Sequence, residues 1–231
     1  MIITFNKMGQ YIIHKLEETT SEKDLGVFVD PLLNFESHIT QTVSKARKIS
    51  GLIVRTMTYK SPDIMIPLFK ALTRPILEYA NPVWNPHQRK LIDMLEKVQR
   101  NYTRAIIGMN NLGYEDRLKA LKLPSLEFRR FRGDLIETFK ICRGLYDSST
   151  TKKLITLVSD DNPTRSNGFK LTKKHTNHKS FQSFFTNRII NPWNSLPAEV
   201  VNAKSVNLFK NNIDKIFKAH IYSTNINHLY F

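Results

Sequence analysis

The sequence predicts a mainly α-helical protein that begins with short β-strands, and three observations lead to this prediction. Residues 1–35 contain short runs rich in Ile, Val, Phe and Tyr, which are typical of strands. From Phe35 onward, apolar residues recur every three to four positions, as they do on one face of a helix. Ser-Pro and Asn-Pro pairs then occur where new helices would begin.

Three segments of residues 1–35 favour strands, namely IITF, YIIHKL and DLGVFVD. Met8-Gly9-Gln10 predicts the turn of a hairpin between the first two. Three such strands would form a thin sheet with little to cover it. We therefore interpret them as the edge of a larger sheet rather than as a domain of their own.

Residues 36–146 predict a helical domain of five elements joined by short loops. The first helix runs to about Met57, and a short fourth helix lies around 115–121. Proline, glycine and serine mark the other starts and stops at Ser61-Pro62, Pro75, Asn85-Pro86, Gly108 and Pro124-Ser125. Pro75 is expected to end or kink the second helix.

The remainder of the chain is divided into a polar linker, residues 147–180, and a small α-rich region, residues 181–231. The linker is expected to hold at most one short strand. In the stretch FQSFFTNRIINPWNSLP we expect a helix that Pro192 ends, with Trp193 packing back against it. Ser205 is expected to cap a last helix whose buried stripe is Val206, Phe209, Ile213 and Ile216.

The charge balance points to a polyanionic partner. Lys and Arg exceed Asp and Glu by 15, and neutralising phosphates releases condensed counterions. Nucleic acid is the first candidate and an anionic membrane surface the second. No apolar run is long enough to predict a membrane span, and the first residues are too polar for a signal peptide. With one cysteine, Cys142, no intramolecular disulfide is expected, and an intracellular location, nuclear or cytoplasmic, follows.

Two adjacent aspartates, Asp160 and Asp161 in LVSDDNPTRSNG, resemble the pair with which a polymerase holds magnesium. Such a pair needs a tight hairpin between strands and a third aspartate, so that two metal ions lie side by side. Here Asn162-Pro163 follows, which is a turn signal with no strand behind it. We interpret the segment as a polar loop.

Other catalytic or metal-binding patterns are weak. His175 and His178 have metal-ligand spacing, but no second cysteine or nearby carboxylate completes a four-ligand set. Cys142 lies in an apolar helical pattern and is expected to be a buried, inert side chain. No glycine-rich phosphate loop is present. We therefore expect no catalytic residue, metal, cofactor or small-molecule ligand on this chain.

Basic residues cluster on the predicted helices, with few acids between them. The candidate nucleic-acid contacts are Lys45, Arg47, Lys48, Arg55, Arg89, Lys90, Lys97, Arg100, Arg104, Arg129 and Arg130. Arg132 extends the third of these clusters, and Lys170, Lys173, Lys174 and Lys179 form a fourth. Each cluster alone could be a solvated helix face, and Arg129 and Arg130 could instead pair with acids such as Glu127.

Six sequence blocks occur in one order: KDLGVFVDPLLNFESHI, RPILEYANPVW, LEKVQRN, YEDRLKALKLPSLEFRRFRGDLIETFKI, NRIINPWNSLP and FKNNIDKI. This series resembles the C-terminal third of the reverse transcriptase of non-LTR retrotransposons, of the jockey-like and chicken-repeat types. The resemblance covers roughly residues 5–217. Any one block would be a weak signal, but their common order and spacing make the series specific.

The resemblance implies a function and a division of labour. Asp24, Leu25, Gly26 and Val27 match a stretch that resembles the primer grip, which closes the polymerase palm. Residues 36–146 match the thumb, which cradles the template–primer duplex. The catalytic aspartates and their Mg²⁺ belong to the fingers and palm of that family, which this sequence lacks. The chain is therefore expected to be a fragment of an RNA-directed DNA polymerase that binds RNA/DNA hybrid or duplex without polymerase activity of its own.

Two alternatives stay open at the level of sequence. The chain could be a helical protein–protein interaction module derived from a decayed retrotransposon, with Trp84, Trp193 and Phe184-Phe185 forming an exposed apolar patch. It could also form an active polymerase with a separate palm and fingers chain. Burial of the aromatic residues and alignment of the arginines along one groove would favour nucleic-acid binding.

Overall fold

The computed structural model describes residues 2–5, 11–14, 19–151, 154–158, 169–173 and 179–230. It is mainly helical, with 61% helix and 4% strand, and a short antiparallel hairpin precedes the helices. The predicted fold class is thus confirmed. None of the described helices is both long enough and apolar enough to cross a membrane.

The N-terminal strands form two separate hairpins. Strands β1 (Ile2–Phe5) and β2 (Tyr11–His14) pair with each other, and β3 (Glu22–Asp24) pairs with β4 (Val27–Val29). The prediction of one three-stranded sheet, with DLGVFVD as a single strand, was wrong. The chain reverses within that segment because Leu25-Gly26 forms a tight turn with φ of 43° and 88°, a backbone conformation that glycine adopts without strain.

Seven helices follow in the region that was predicted to be helical. They are α1 (Glu36–Thr56), α2 (Pro62–Leu68), α3 (Arg74–Glu78), α4 (Asn81–Trp84), α5 (Arg89–Arg104), α6 (Tyr114–Ala120) and α7 (Leu126–Cys142). A wide, π-helical turn at Phe69–Thr73 joins α2 to α3. Proline has no N–H to donate to the helix, and this wide turn lets the chain stay helical past Pro75 as far as Glu78.

The remaining helices are short, except for the last. They are α8 (Ser148–Thr151), α9 (Lys179–Gln182), α10 (Phe185–Arg188), α11 (Ile190–Asn194), α12 (Ala198–Val201) and α13 (Val206–Ile216). The single helix expected in FQSFFTNRIINPWNSLP is thus divided into three, and Pro192 lies inside α11 instead of ending it. Proline is tolerated there because the first turn of a helix needs no N–H from it.

The first hydrophobic core lies between α1, the α2–α3 segment and α5. The predicted stripes of α1 and α5 are buried in it, including Ile39, Val43, Leu91 and Leu95. Tyr102 on α5 is buried as well, and its hydroxyl donates to the carbonyl oxygen of Met65 at 2.8 Å. Since α1 and α5 pack along much of their length, their outer faces lie side by side.

A second core lies on the other side of α7. Phe131, Leu135 and Phe139 of that helix pack with Trp193 on α11 and Phe209 on α13. The Phe139 and Phe209 rings stack with centroids 4.4 Å apart. The C-terminal region thus packs on α7, which it shares with the helical domain. The prediction that Ile216 is buried was wrong, since this residue at the end of α13 is 43% exposed.

Part of the predicted linker packs on the C-terminal region. Leu157 and Leu171 form an isolated antiparallel bridge. The side chain of Asn194 accepts from the Leu171 N–H at 2.8 Å and donates to the Leu171 carbonyl oxygen at 2.9 Å. The indole N–H of Trp193 donates to the Phe169 carbonyl oxygen at 2.7 Å. Four residues considered for metal binding, Asp160, Asp161, His175 and His178, lie outside the described residues.

Candidate nucleic-acid interface

Beyond its first turn, the exposed charged residues of α1 are all basic. Lys45, Arg47, Lys48 and Arg55 are all exposed. No acidic residue occurs in the sequence between Glu36 and Asp63. Within the described part of the chain, none of the four cations forms an ion pair. These side chains are therefore available to an external anion.

A groove runs between α1 and α5, with a volume of about 430 Å³. From α1 it is lined by Arg47, Gly51 and Arg55, and from α5 by Asn101 and Ala105, and no acidic side chain lines it. Gly51 lies close to the Arg55 side chain, since a Cβ at this position would be in van der Waals contact with the guanidinium at 3.4 Å.

The C-terminal half of α5 extends the positive surface along the groove. Lys97 and Arg104 are exposed on either side of Asn101 in the sequence. Arg100 is half-buried, and its guanidinium lies over the Tyr114 ring at 4.8 Å from the centroid. The structure thus brings the predicted clusters of two separate helices onto one surface. We call this surface, made of Arg47, Arg55, Lys97 and Arg104, the basic groove.

Four of the eleven predicted contacts form ion pairs or side-chain hydrogen bonds within the protein. Arg89 pairs with Asp93 at 2.6 Å and with Glu127 at 3.0 Å, and Lys90 pairs with Glu36 at 2.7 Å. Arg129 pairs with Glu78 through two hydrogen bonds. Arg130 is only 3% exposed and donates to the Asn85 side-chain oxygen at 3.1 Å. Its burial argues against the predicted contact with nucleic acid, because a phosphate in solvent cannot reach it.

The segment Asp24–Val27 is held against the helices. Asp24 and Leu25 are exposed, whereas Val27 is buried. The Tyr79 hydroxyl donates to the Leu25 carbonyl oxygen at 2.8 Å. A Cβ at Gly26 would lie 3.4 Å from the Tyr79 ring. The turn is thus fixed in place, and the Leu25 side chain points away from the core.

A second cavity, of about 330 Å³, lies between this hairpin and α1. Lys23, Gly26 and Phe28 line it from the hairpin, and Gln41 and Lys45 line it from α1. Lys45 thus faces one cavity while Arg47 and Arg55 face the basic groove on the other side of α1. The helix forms a positive ridge between two depressions.

His38 fixes the hairpin to α1 from within this second cavity. Its Nδ1 accepts from the Phe28 N–H at 3.3 Å, and its Nε2 lies 3.4 Å from the Thr42 hydroxyl oxygen. The ring also packs on Trp84, with centroids 5.2 Å apart. An accepting Nδ1 requires the neutral imidazole. Burial lowers the pKa of His38 below its ordinary value of 6.5.

This geometry predicts a pH-dependent stability. The unfolded chain takes up a proton at His38 as the pH falls below 6.5, whereas the folded protein resists doing so until its lowered pKa is reached. The contribution of His38 to folding stability is therefore fully present well above pH 6.5. It is lost as the pH falls from 6.5 towards the lowered pKa of the folded protein, by up to about 1.4 kcal/mol per pH unit. His38→Asn keeps an acceptor without the titration. In urea denaturation at a series of pH values, we expect the stability difference between wild type and His38→Asn to shrink as the pH falls. A constant difference would contradict this account.

No metal site is evident among the residues that the structure describes, where no three His, Cys, Asp or Glu side chains lie close enough to hold an ion. The carboxylate of Asp30 accepts from the backbone N–H groups of Leu32, Asn34 and Phe35, and thus orders the loop before α1. Burial raises the pKa of the Cys142 thiol to about 11. That side chain is therefore poorly suited to act as a nucleophile.

Two buried polar centres, which sequence reasoning missed, hold the helices in register. In the first, the Asp134 carboxylate on α7 accepts from Arg188 at 2.8 and 2.9 Å and from the Tyr230 hydroxyl at 3.1 Å. In the second, the Glu96 carboxylate on α5 accepts from the Tyr114 hydroxyl at 2.6 Å and from the first backbone N–H groups of α7. The one available signal was a charged residue within an apolar helical stripe.

Comparisons with known proteins give a partial match. No family model matches the chain, and no solved structure matches it. A curated protein of Caenorhabditis elegans, itself described as uncharacterized, is 29% identical over 126 residues. The matched segment is 53% of this chain and 64% of that protein, so the chain spans just under two thirds of the length of its curated relative. This similarity brings no activity with it.

Proposed function

We propose that this chain is the thumb and C-terminal part of a non-LTR retrotransposon reverse transcriptase, and that it binds the backbone of RNA/DNA hybrid or duplex without sequence preference. The observation that carries the proposal is the basic groove. Arg47 and Arg55 line it with no acidic side chain beside them, and Lys97 and Arg104 are exposed on the α5 side. Unpaired cations along a groove attract a polyanion, since phosphate contacts release counterions.

The burial of the aromatic residues supports nucleic-acid binding over the alternative of a protein-binding module. Trp84 and Trp193 are 1% and 0% exposed, and both belong to hydrophobic cores. Phe184 and Phe185 are half-buried. The apolar patch on which the alternative depended is therefore not formed by these residues.

The positions of the sequence blocks that resemble the reverse transcriptase also support the proposal. LEKVQRN contributes Glu96 and Gln99, YEDRL contributes Tyr114, and LPSLEF contributes Ser125. These residues meet at the start of α7, where Glu96 accepts from two backbone N–H groups and Gln99 donates to the Pro124 carbonyl oxygen at 3.0 Å. Two of the six blocks, LEKVQRN and the block that begins with YEDRL, thus supply one structural joint.

We also propose that the chain does not extend primers by itself. Phosphoryl transfer by a polymerase requires two metal ions held by carboxylates, and in the resembled family those carboxylates lie in the palm. Mg²⁺ would then act in the full-length protein, with the palm and fingers as partners of this region. A primer-extension reaction with the purified chain, Mg²⁺ and nucleotides should yield no template-dependent product.

The binding half of the proposal is tested by removing charge at two places. The groove variant replaces Arg47, Arg55, Lys97 and Arg104 with glutamine. At about 50 mM salt we expect its affinity for duplex to fall at least tenfold, and the slope of log affinity against log salt to fall by about 0.9 for each phosphate that the variant no longer neutralises. Fluorescence anisotropy with a labelled duplex measures both quantities.

A matched control removes the same number of positive charges elsewhere. Lys122, Lys204, Lys215 and Lys218 are exposed and lie outside the basic groove. Replacing all four with glutamine should change duplex affinity only a few-fold and leave the salt slope nearly unchanged. Equal losses in the two variants would show that net charge, rather than the groove, governs binding, and the proposal would then be wrong.

A further inference from the structure

The basic groove leads to one end of the helical bundle, where α1 and α5 both finish. Arg55, in the last turn of α1, and Ala105, which follows α5, line the same groove. Just beyond them the Ile107 N–H donates to the Lys60 carbonyl oxygen at 3.0 Å. The two loops that leave these helices are therefore joined directly. We call this end, made of residues 57–60 and 105–112, the bundle tip.

The bundle tip exposes large apolar side chains among cations. Tyr59 is 66% exposed and Ile107 is 52% exposed. Single exposed apolar residues are common on proteins, but these two lie on loops that hydrogen-bond to each other. Arg55 and Arg104 precede the two loops, and both are exposed. The bundle tip thus offers an exposed aromatic ring on loops that directly follow two unpaired cations, and proteins bind unpaired nucleotides with aromatic rings and positive charge.

We propose that the bundle tip is a stacking platform for an unpaired base next to a duplex that lies in the basic groove. Tyr59 would stack on the face of the base, and Arg55 and Arg104 would contact the adjoining phosphates. The charge of the site argues for a polyanion as the occupant, and the continuity with the groove argues for a strand that leaves the duplex there. This inference rests on the proposed function, since it needs a duplex in the groove.

The test compares a blunt duplex with the same duplex that carries a short unpaired overhang. The overhang contains 2-aminopurine, whose fluorescence falls when it stacks, and it is made of DNA in one substrate and RNA in the other. Stacking on an aromatic side chain increases affinity by about fivefold or more per base. The intact chain should therefore prefer at least one overhang substrate by about that factor, and the 2-aminopurine signal should fall on binding.

Variants of one residue separate stacking from general binding. Tyr59→Ala should lose the preference for the overhang and the fluorescence change, yet bind the blunt duplex as well as wild type. Tyr59→Phe, which keeps the ring, should retain both effects. Tyr146→Ala removes an exposed tyrosine in the segment that follows α7, outside the bundle tip, and should change neither the preference nor the fluorescence signal.

The experiment distinguishes failure of the stacking platform from failure of the proposed duplex binding. If the intact chain binds the blunt duplex but shows no preference for either overhang, the stacking platform is wrong and the groove is unaffected. A preference that survives Tyr59→Ala also overturns the platform. If the intact chain binds no duplex at all, the proposed function fails and the platform fails with it.

Discussion

Replacing Asp134 with alanine is expected to lower the free energy of unfolding by about 3–5 kcal/mol. The side chains of Arg188 and Asp134 are 5% and 1% exposed, and two hydrogen bonds join them. Truncating the acid leaves a guanidinium charge in the interior without its counterion. Removing one member of a buried ion pair costs far more than the net value of the pair, because the remaining charge has lost its hydration as well.

The remaining contacts of Arg188 explain why it cannot simply move into solvent. Its guanidinium also donates to the carbonyl oxygens of Ser183 at 2.9 Å and Pro82 at 3.0 Å. The Asp134 carboxylate also accepts from the Asn85 side chain at 3.2 Å. The pair thus links α4, α7 and α10. Its loss should loosen the second core from the first.

Urea denaturation followed by circular dichroism measures the effect, and the chain offers a matched control. Arg132 and Asp214 form a bidentate pair between α7 and α13, but their side chains are 25% and 38% exposed. Asp214→Ala should therefore cost at most about 1 kcal/mol. Asp134→Asn supplies a milder variant if the alanine variant does not fold.

A double replacement tests the cause. Asp134→Leu combined with Arg188→Met removes both charges. This double variant should therefore be destabilised less than the single variant Asp134→Leu. If the double variant were the less stable of the two, the stranded charge would not be the reason for the loss. Equal effects of Asp134→Ala and Asp214→Ala would likewise contradict the role of burial.

The parts of the fold that could be predicted from sequence are those that depend on local chemistry. Apolar spacing placed Ile39 and Val43 in the core because a helix brings such positions onto one face. Ser205 was expected to cap the last helix, and its side-chain oxygen accepts from the Leu208 N–H, three residues later. Both signals depend on only a few neighbouring residues.

The parts that could not be predicted depend on which distant residues meet. Asp134 and Arg188 look like surface charges in the sequence, and so do their neighbours Arg130 and Arg132. A helical pattern says which face a residue lies on, but not what packs against that face. Arg130 is buried in the structure while Arg129, its neighbour, pairs with Glu78 on α3.

The candidate interface shows the same division. Separate basic clusters on the first and third predicted helices were evident, but only the packing of α1 against α5 shows that Arg55 and Ala105 line one groove. Lys90 lies on the same helix as Lys97, yet it is paired with Glu36. Charge alone did not distinguish these two lysines, since the partner of Lys90 is more than fifty positions away in the sequence.

Glu96→Ala is expected to have the second largest effect on stability, about 2–5 kcal/mol. The Glu96 carboxylate is fully buried and accepts from the Leu126 and Glu127 N–H groups, both at 3.2 Å. These are among the first N–H groups of α7, which have no partner inside their own helix. Each buried group that loses its acceptor costs about 1–3 kcal/mol. The Tyr114 hydroxyl would lose its acceptor too.

The buried carboxyl group of Glu96 carries an electrostatic cost, which indicates a specific role for this side chain. Burial raises the pKa of Glu96, and nearby Glu127 raises it further, while the Tyr114 hydroxyl, Arg130 and the Leu126 N–H act in the opposite direction. A buried carboxyl group is a poor choice for a site that needs only to be filled. Its position at the start of α7 is favourable because helix N-termini attract negative charge. We infer that Glu96 fixes the place at which α7 begins.

Amide hydrogen exchange with urea denaturation distinguishes this role from simple packing. Glu96→Ala should lower global stability and also speed exchange at the first turn of α7 more than in the middle of that helix. Tyr114→Phe removes one hydrogen bond and leaves both backbone contacts, so it should cost only about 1 kcal/mol and leave that exchange unchanged. If the two variants were equally unstable, the tyrosine contact would account for the whole effect. The N-terminus of α7 would then be held by Ser125 and its own first turn, without help from α5.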